Sequence, residues 1–124
     1  MKNLIEFLGI DVGGAHIKII GLDKDRHISY VGYRSCHLWK NIKNLRNQIK
    51  FINSISKNKK IKCGITMTGE LCDIFGNRIN GAKIIFKECL KIKYEKLFYT
   101  NSDEIFKKKG IDFEKVILLP LLNK

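Results

Sequence analysis

The run Leu4–Asp11 constrains this chain more than any other stretch. It is short and apolar, it stops at an acid, and Gly13-Gly14 follows at once. A run of that length bounded by turn residues reads as a buried strand entering a tight turn. Ala15–Leu22 then alternates, with Ile17 and Ile19 set against Lys18 and Ile20, and reads as the hairpin partner. Asp23–His27 supplies the next turn, and Ile28–Arg34, rich in Tyr and Val, a third strand. From Asn41 the period changes: Ile42, Leu45, Ile49, Ile52 and Ile55 recur every three or four residues, the spacing of a helix facing a sheet. After a polar link at Ser56–Lys60, Ile61–Met67 reads as a fourth strand, Asn80–Leu90 as a second helix (Ala82, Ile85, Phe86, Cys89) and Leu97–Tyr99 as a fifth strand. The expected fold class is α/β, in the order βββαβαβ of a ribonuclease-H-like lobe. Val116–Leu122 is strand-like but interrupted by Pro120, which argues for an edge or a non-strand.

Composition narrows the class. The chain has 124 residues and a formal net charge of +12, with 44% hydrophobic residues, the mix of an ordinary folded globule. No run approaches the roughly 20 apolar residues of a spanning helix, and no export signal is read at the N-terminus, so a cytoplasmic protein with no membrane partner is expected. The lysines are spread over Lys40–Lys62, Lys83–Lys96 and Lys107–Lys109 and alternate with Ile, Asn and Phe. That pattern is a solvated surface, of the composition an AT-rich genome imposes, rather than a nucleic-acid footprint. Cys36, Cys63, Cys72 and Cys89 form no CxxC pair, which leaves zinc without support and makes small buried thiols the expectation.

Two segments carry chemistry. In Gly9–Lys18 a strand delivers Asp11 to its end, where a carboxylate can hold a hydrated Mg²⁺ beside a phosphate bound on the Gly13 and Gly14 amides. Glycine suits such a cradle because it tolerates positive φ and close approach, and Lys18 on the returning strand is within reach of the same anion. A structural hairpin explains the same residues equally well. The segment lacks the ending of a P-loop, and a hairpin rather than a helix follows it, which excludes a dinucleotide fingerprint. The second segment runs from Ile65 through Thr66, Thr68, Gly69, Glu70 and Asp73 to Arg78, at a strand C-terminus where open α/β sheets place ligands. Glu70 and Asp73 suit a metal or a proton transfer, and Arg78 suits a diphosphate. The competing reading has the two acids capping the next helix and Arg78 pairing with one of them. His16 lies in the turn itself, beside substrate or simply exposed. His27 and His37 read as surface without partners at ligand spacing, Trp39 as a packing anchor, and Phe86, Tyr94, Phe98 and Tyr99 as core.

Gly9–Lys18 resembles the first phosphate loop of the sugar kinase, actin and heat-shock chaperone superfamily, whose members close two ribonuclease-H-like lobes around a nucleotide or phosphate cleft. The run Thr66-Met67-Thr68-Gly69-Glu70-Leu71-Cys72-Asp73, with Asn77, Arg78 and Gly81 behind it and Leu38-Trp39-Lys40 ahead of it, is similar to the hydantoinase/oxoprolinase-related proteins linked to tetrahydromethanopterin and methanofuran. The likeness spans about Leu8 to Tyr99. It implies the N-terminal lobe of the actin-like ATPase fold. It also implies one-carbon metabolism, with a transferase that joins a tyramine-derived phenol to an aminomethylfuran diphosphate and releases pyrophosphate. On that reading Glu70 and Thr68 are catalytic, Gly13, Gly14, Lys18 and Arg78 hold the diphosphate, and Asp11 holds Mg²⁺. ATP on the same loop, as in a kinase or an ATP-dependent hydantoinase/oxoprolinase, is the alternative, and a non-catalytic single-lobe remnant a third.

The family also carries an Ala-Ser-Ala-Asn-Trp segment and a second lobe, neither of which is in this sequence. Residues 1–106 are therefore expected to be one lobe. Residues 107–124 are expected to be an atypical tail, such as a truncated or frameshifted reading frame leaves. The second wall of a cleft would come from a missing lobe or a homo-oligomer. The isolated chain is expected to show no turnover, and any turnover of amine-phenol and furan-diphosphate substrates above an enzyme-free control refutes that.

Overall fold

In a computed structural model of the chain, residues 4–58, 60–67, 76, 78–99 and 105–106 are described. The elements follow in the order β1 (Phe7–Val12), β2 (His16–Leu22), β3 (Ile28–Ser35), α1 (Ile42–Ser54), β4 (Lys62–Met67), α2 (Arg78–Cys89), β5 (Glu95–Tyr99) and β6 (Ile105–Phe106). They build one mixed sheet in the order β3-β2-β1-β4-β5-β6. Antiparallel pairing joins β3 to β2 and β2 to β1, parallel pairing joins β1 to β4 and β4 to β5, and β6 returns antiparallel on β5. The period change at Asn41 falls one residue before α1, and the helical spacing over Asn80–Leu90 falls on α2. The two-residue β6 was not legible, being too short to show alternation.

Alternation along each strand sorts the side chains between two faces. Leu8, Ile10 and Val12 of β1 share one face with Ile17 and Ile19 of β2, Cys63, Ile65 and Met67 of β4, and Phe98 of β5, all buried. Leu45, Ile49 and Ile52 of α1 and Ala82, Ile85, Phe86 and Cys89 of α2 join them in a single core. Both helices therefore cover the same side of the sheet. β1 begins at Phe7 rather than Leu4, although residue 6 is already tied in: its N–H donates to the Leu22 carbonyl at 2.7 Å and its carbonyl accepts from Lys62 N at 3.1 Å. Leu4 is exposed, whereas Ile5 is buried against Gly21. There the pairing with β3 slips, and a Cβ on Gly21 would stand 2.9 Å from the Tyr30 Cβ.

Side chains fasten the helices. Asn41 caps α1, accepting from Lys43 N at 2.8 Å. Arg34 of β3 donates to Gln48 at 2.6 Å and lies over the Phe51 ring at 3.7 Å. Glu88 of α2, buried, accepts from Arg46 of α1 at 3.2 Å and from Lys91 at 3.1 Å. At the C-terminal end of α1 the Tyr94 hydroxyl donates to the Ile52 carbonyl at 3.0 Å and accepts from Ser56 N at 3.2 Å. Phe86, Tyr94 and Phe98 are core, as their sequence positions suggested; the Tyr99 side chain lies outside the described residues. Trp39, expected as a packing anchor, is half exposed; its ring meets His37 in a T-shaped contact and the Lys40 ammonium.

Cys36, Cys63 and Cys89 are buried thiols that form no disulfide, while Cys72 lies outside the described residues. Burial pushes the Cys63 thiol from 9.0 up to about 12, with the nearby Lys96 ammonium acting weakly in the opposite sense, and burial raises Cys89 further. Burial also raises the Tyr94 hydroxyl. A group whose pKa rises on folding stabilises the fold fully below its unfolded value and loses that contribution as pH climbs through the folded one. Unfolding free energy from denaturant titration is therefore expected to stay level to about pH 9 and to fall from there towards pH 12. The fall should be shallower in Cys63→Ala.

Candidate functional site

Asp11 is the next-to-last residue of β1, and the registers place Lys18 beside it on β2 and Thr66 beside it on β4. All three belong to the face away from the helices. The Lys18 ammonium lies 3.7 Å from Asp11 Oδ2, in a pair whose partners are about half and one-third exposed. Asp11 Oδ1 is buried and meets no donor among the described residues. A carboxylate oxygen stripped of water without a compensating partner is costly, and in native proteins such an atom usually has a reason to be there. One side of this carboxylate is thus neutralised by a cation and the other is free to accept a metal or a donor.

The turn after Asp11 is held from two directions. Gly13 N donates to the His16 carbonyl at 3.0 Å, closing the hairpin. The stretch that follows β3 then straps across it: Cys36 N (2.8 Å) and His37 N (3.2 Å) donate to the Ala15 carbonyl, and Leu38 N to the Gly14 carbonyl at 2.7 Å. His37 adopts φ 45° to make this strap. Two details correct the cradle expected for Gly13 and Gly14. The Gly13 N–H is spent inside the turn, and neither glycine uses positive φ, which among the described residues belongs to Arg26, His37 and Gly76. Gly14 and Ala15 are tied to the strap through their carbonyls.

His16, in the first position of β2, stacks on Tyr33 of β3 with ring centroids 4.4 Å apart and an interplanar angle of 14°. Tyr33 is the cross-strand neighbour of Lys18. The sequence singled out His16 but not Tyr33, because a stack across two strands depends on register. The resulting surface reads, across the sheet, as an aromatic pair, an ammonium, a carboxylate and a threonine hydroxyl. Below Asp11 a groove of about 580 Å³ continues along the same face past Gly9, Ile20 and Leu97.

The second segment enters the description only in part. Thr66 is at the site, and β4 ends at Met67 in register with Val12 of β1. Thr68, Glu70 and Asp73 lie outside the described residues, and Arg78 is known as the first residue of α2. One expectation is overturned elsewhere. His27 does have partners: its ring and the carboxylates of Asp23 and Asp25 bring one ligand atom each to within 4.8 Å of one another. Asp23 Oδ1 already accepts from Asp25 N and His27 N, both at 2.9 Å, so this cluster is in the first place a built turn.

No family profile matches the chain, and no curated protein matches it at a significant level. What the site can do is carried by its own geometry. If Asp11 is kept for ligand rather than for folding, Asp11→Asn leaves the thermal midpoint unchanged or raises it by a few degrees, since it removes charge from the oxygen without a partner. A thermal melt in low salt measures this, and a large fall would make Asp11 a structural residue.

Proposed function

We propose that this chain is a phosphate-binding lobe of the ribonuclease-H-like kind, and that it holds the diphosphate of a small-molecule substrate beside Asp11. The observation that carries the reading is the Asp11 carboxylate at the end of the central strand, with Oδ2 against Lys18 and Oδ1 unpartnered. Strand order supports the fold assignment: β3-β2-β1-β4-β5 with only β2 antiparallel to its neighbours among these five. So does the position of the acid, at the carboxyl end of a strand in an open sheet, where ligands gather.

The residues fit a divalent cation in one respect, the free Oδ1 of Asp11, with Thr66 as its neighbour on β4. A bound Mg²⁺ would supply positive charge against a diphosphate leaving group. The chain's own part is to fix that charge and to add Lys18 as a donor to the anion. Arg78, Thr68 and Glu70 take their assigned roles, diphosphate contact and catalysis, from the resemblance of the Thr66–Asp73 run. The same resemblance supplies the reaction: a phenol displacing pyrophosphate from an aminomethylfuran diphosphate in methanofuran formation. Catalysis on this reading needs a second wall to the cleft, from another lobe or another subunit. Such a protein works in the cytoplasm, where its substrates are. No helix among the described residues is long and apolar enough to cross a membrane.

Calorimetric titration of the full chain with pyrophosphate and with ATP, each with and without Mg²⁺, tests this. Magnesium-dependent pyrophosphate binding, weakened at least tenfold (about 1.4 kcal/mol) in Asp11→Asn, is the expected result. Preference for Mg²⁺-ATP would move the lobe to the kinase or hydantoinase/oxoprolinase reading. Binding of neither, once a second lobe is supplied, would leave a non-catalytic module.

A further inference from the structure

On the sheet face opposite the helices an apolar strip runs between Asp11, Lys18 and Thr66 at one end and Lys62 at the other. Val31 of β3 is 66% exposed and Ile20 of β2 46%, and Phe7, Leu22 and Leu97 continue the strip across the sheet. Its floor is bare backbone where Gly9 of β1 and Gly64 of β4 stand side by side. A Cβ added at Gly9 would find nothing nearer than the Ile20 carbonyl oxygen at 4.0 Å. The resulting trough is the groove of about 580 Å³. Contiguous apolar surface of this kind on a soluble chain marks a contact.

The rest of the sequence offers an occupant. The chain runs on for 18 residues after β6, and eight of those are Ile, Val, Leu or Phe, concentrated between Ile111 and Leu122. β6 is antiparallel to β5, with Phe106 opposite Phe98, so the chain leaves β6 heading towards the end of the sheet where Leu97 and Lys62 lie. Five strand spacings of about 4.8 Å make the sheet roughly 24 Å wide. Eighteen residues reach about 27 Å even as a helix and about 60 Å extended. Asp112 and Glu114 open the segment with the charge opposite to that of Lys62. A tethered segment meets the face at an effective concentration in the millimolar range, far above that of a second copy in dilute solution.

We propose that residues 111–122 dock on this face of their own sheet, as its missing layer. Asp11, Lys18 and Thr66 border one end of the same groove, and docking is tested without any ligand present. A double-mutant cycle on the full chain tests it, with Ile20→Asp on the face and the pair Leu118→Asp and Leu119→Asp in the segment. Thermal melts and binding of an apolar dye are read on each variant, and sedimentation gives the oligomeric state. Docking predicts a midpoint about 5 °C or more lower for each change alone. Combined, they should lower it little further than the larger single loss, because either one already breaks the contact. It also predicts increased dye binding in the segment variant, in a protein that sediments as a monomer. Additive losses, or a segment variant with unchanged midpoint and dye binding, would overturn the proposal. A dimer that the segment variant dissociates would overturn it in favour of a second copy on the face. Should Ile20→Asp fail to fold, the dye and sedimentation readings on the segment variant decide alone.

Discussion

The structure depends on β1 being paired along both edges. Each of its six residues has a partner on β2 and another on β4. A strand in that position cannot slip by one residue without turning Leu8, Ile10 and Val12 out of the core and Asp11 into it. The hydrophobic cost of three such side chains, roughly 1.5–3 kcal/mol each, together with the burial of a charge, fixes the register of the whole sheet. The position of the carboxylate is thus a by-product of packing on the opposite face. Asp11 sits where it does because its neighbours Ile10 and Val12 must be inside.

That coupling explains why the site is compact in sequence on one side and dispersed on the other. Lys18 is brought back by a hairpin with a three-residue connection, 13–15, and Tyr33 by the next antiparallel turn. Thr66 arrives by a crossover that must carry α1 over the sheet before β4 can lie parallel to β1. Both crossovers place their helices on the same face, α1 between β3 and β4 and α2 between β4 and β5. The other face is left to Asp11, Lys18 and the apolar strip beside them.

Much of this was legible in the residues because two periods are easy to tell apart. Ile17 and Ile19 against Lys18 and Ile20 predicted the two faces of β2, and Leu45, Ile49 and Ile52 predicted the buried side of α1; all fall as expected. Ala82, Ile85, Phe86 and Cys89 do the same for α2. Tertiary details were not legible. The Gly13-Gly14 pair suggested a left-handed cradle, yet the turn closes through Gly13 N on the His16 carbonyl and is held down by the distant strap at residues 36–38, which no local pattern announces. Trp39 looked like an anchor from its place at a helix entry and lies half in solvent, while Leu38 beside it is fully buried. His27 gained carboxylate neighbours only through the Asp23 turn. The Thr68, Glu70 and Asp73 expectations rest on sequence alone.

The pairing pattern around β1 also orders events in time. The three antiparallel strands contact one another over short sequence separations, whereas Phe7 meets Lys62 only after the intervening chain has been gathered in. Contacts that close short loops form earlier and at lower entropic cost than those that close long ones. Lys18 therefore stands beside Asp11 from the first hairpin onward, while the other flank of the carboxylate stays open until β4 arrives. Until then the carboxylate keeps its water on an open hairpin, and the lysine opposite is a partner already in register for when β4 strips that water away. The ion pair described as half of a binding site is also, on this view, the escort of its own carboxylate through assembly.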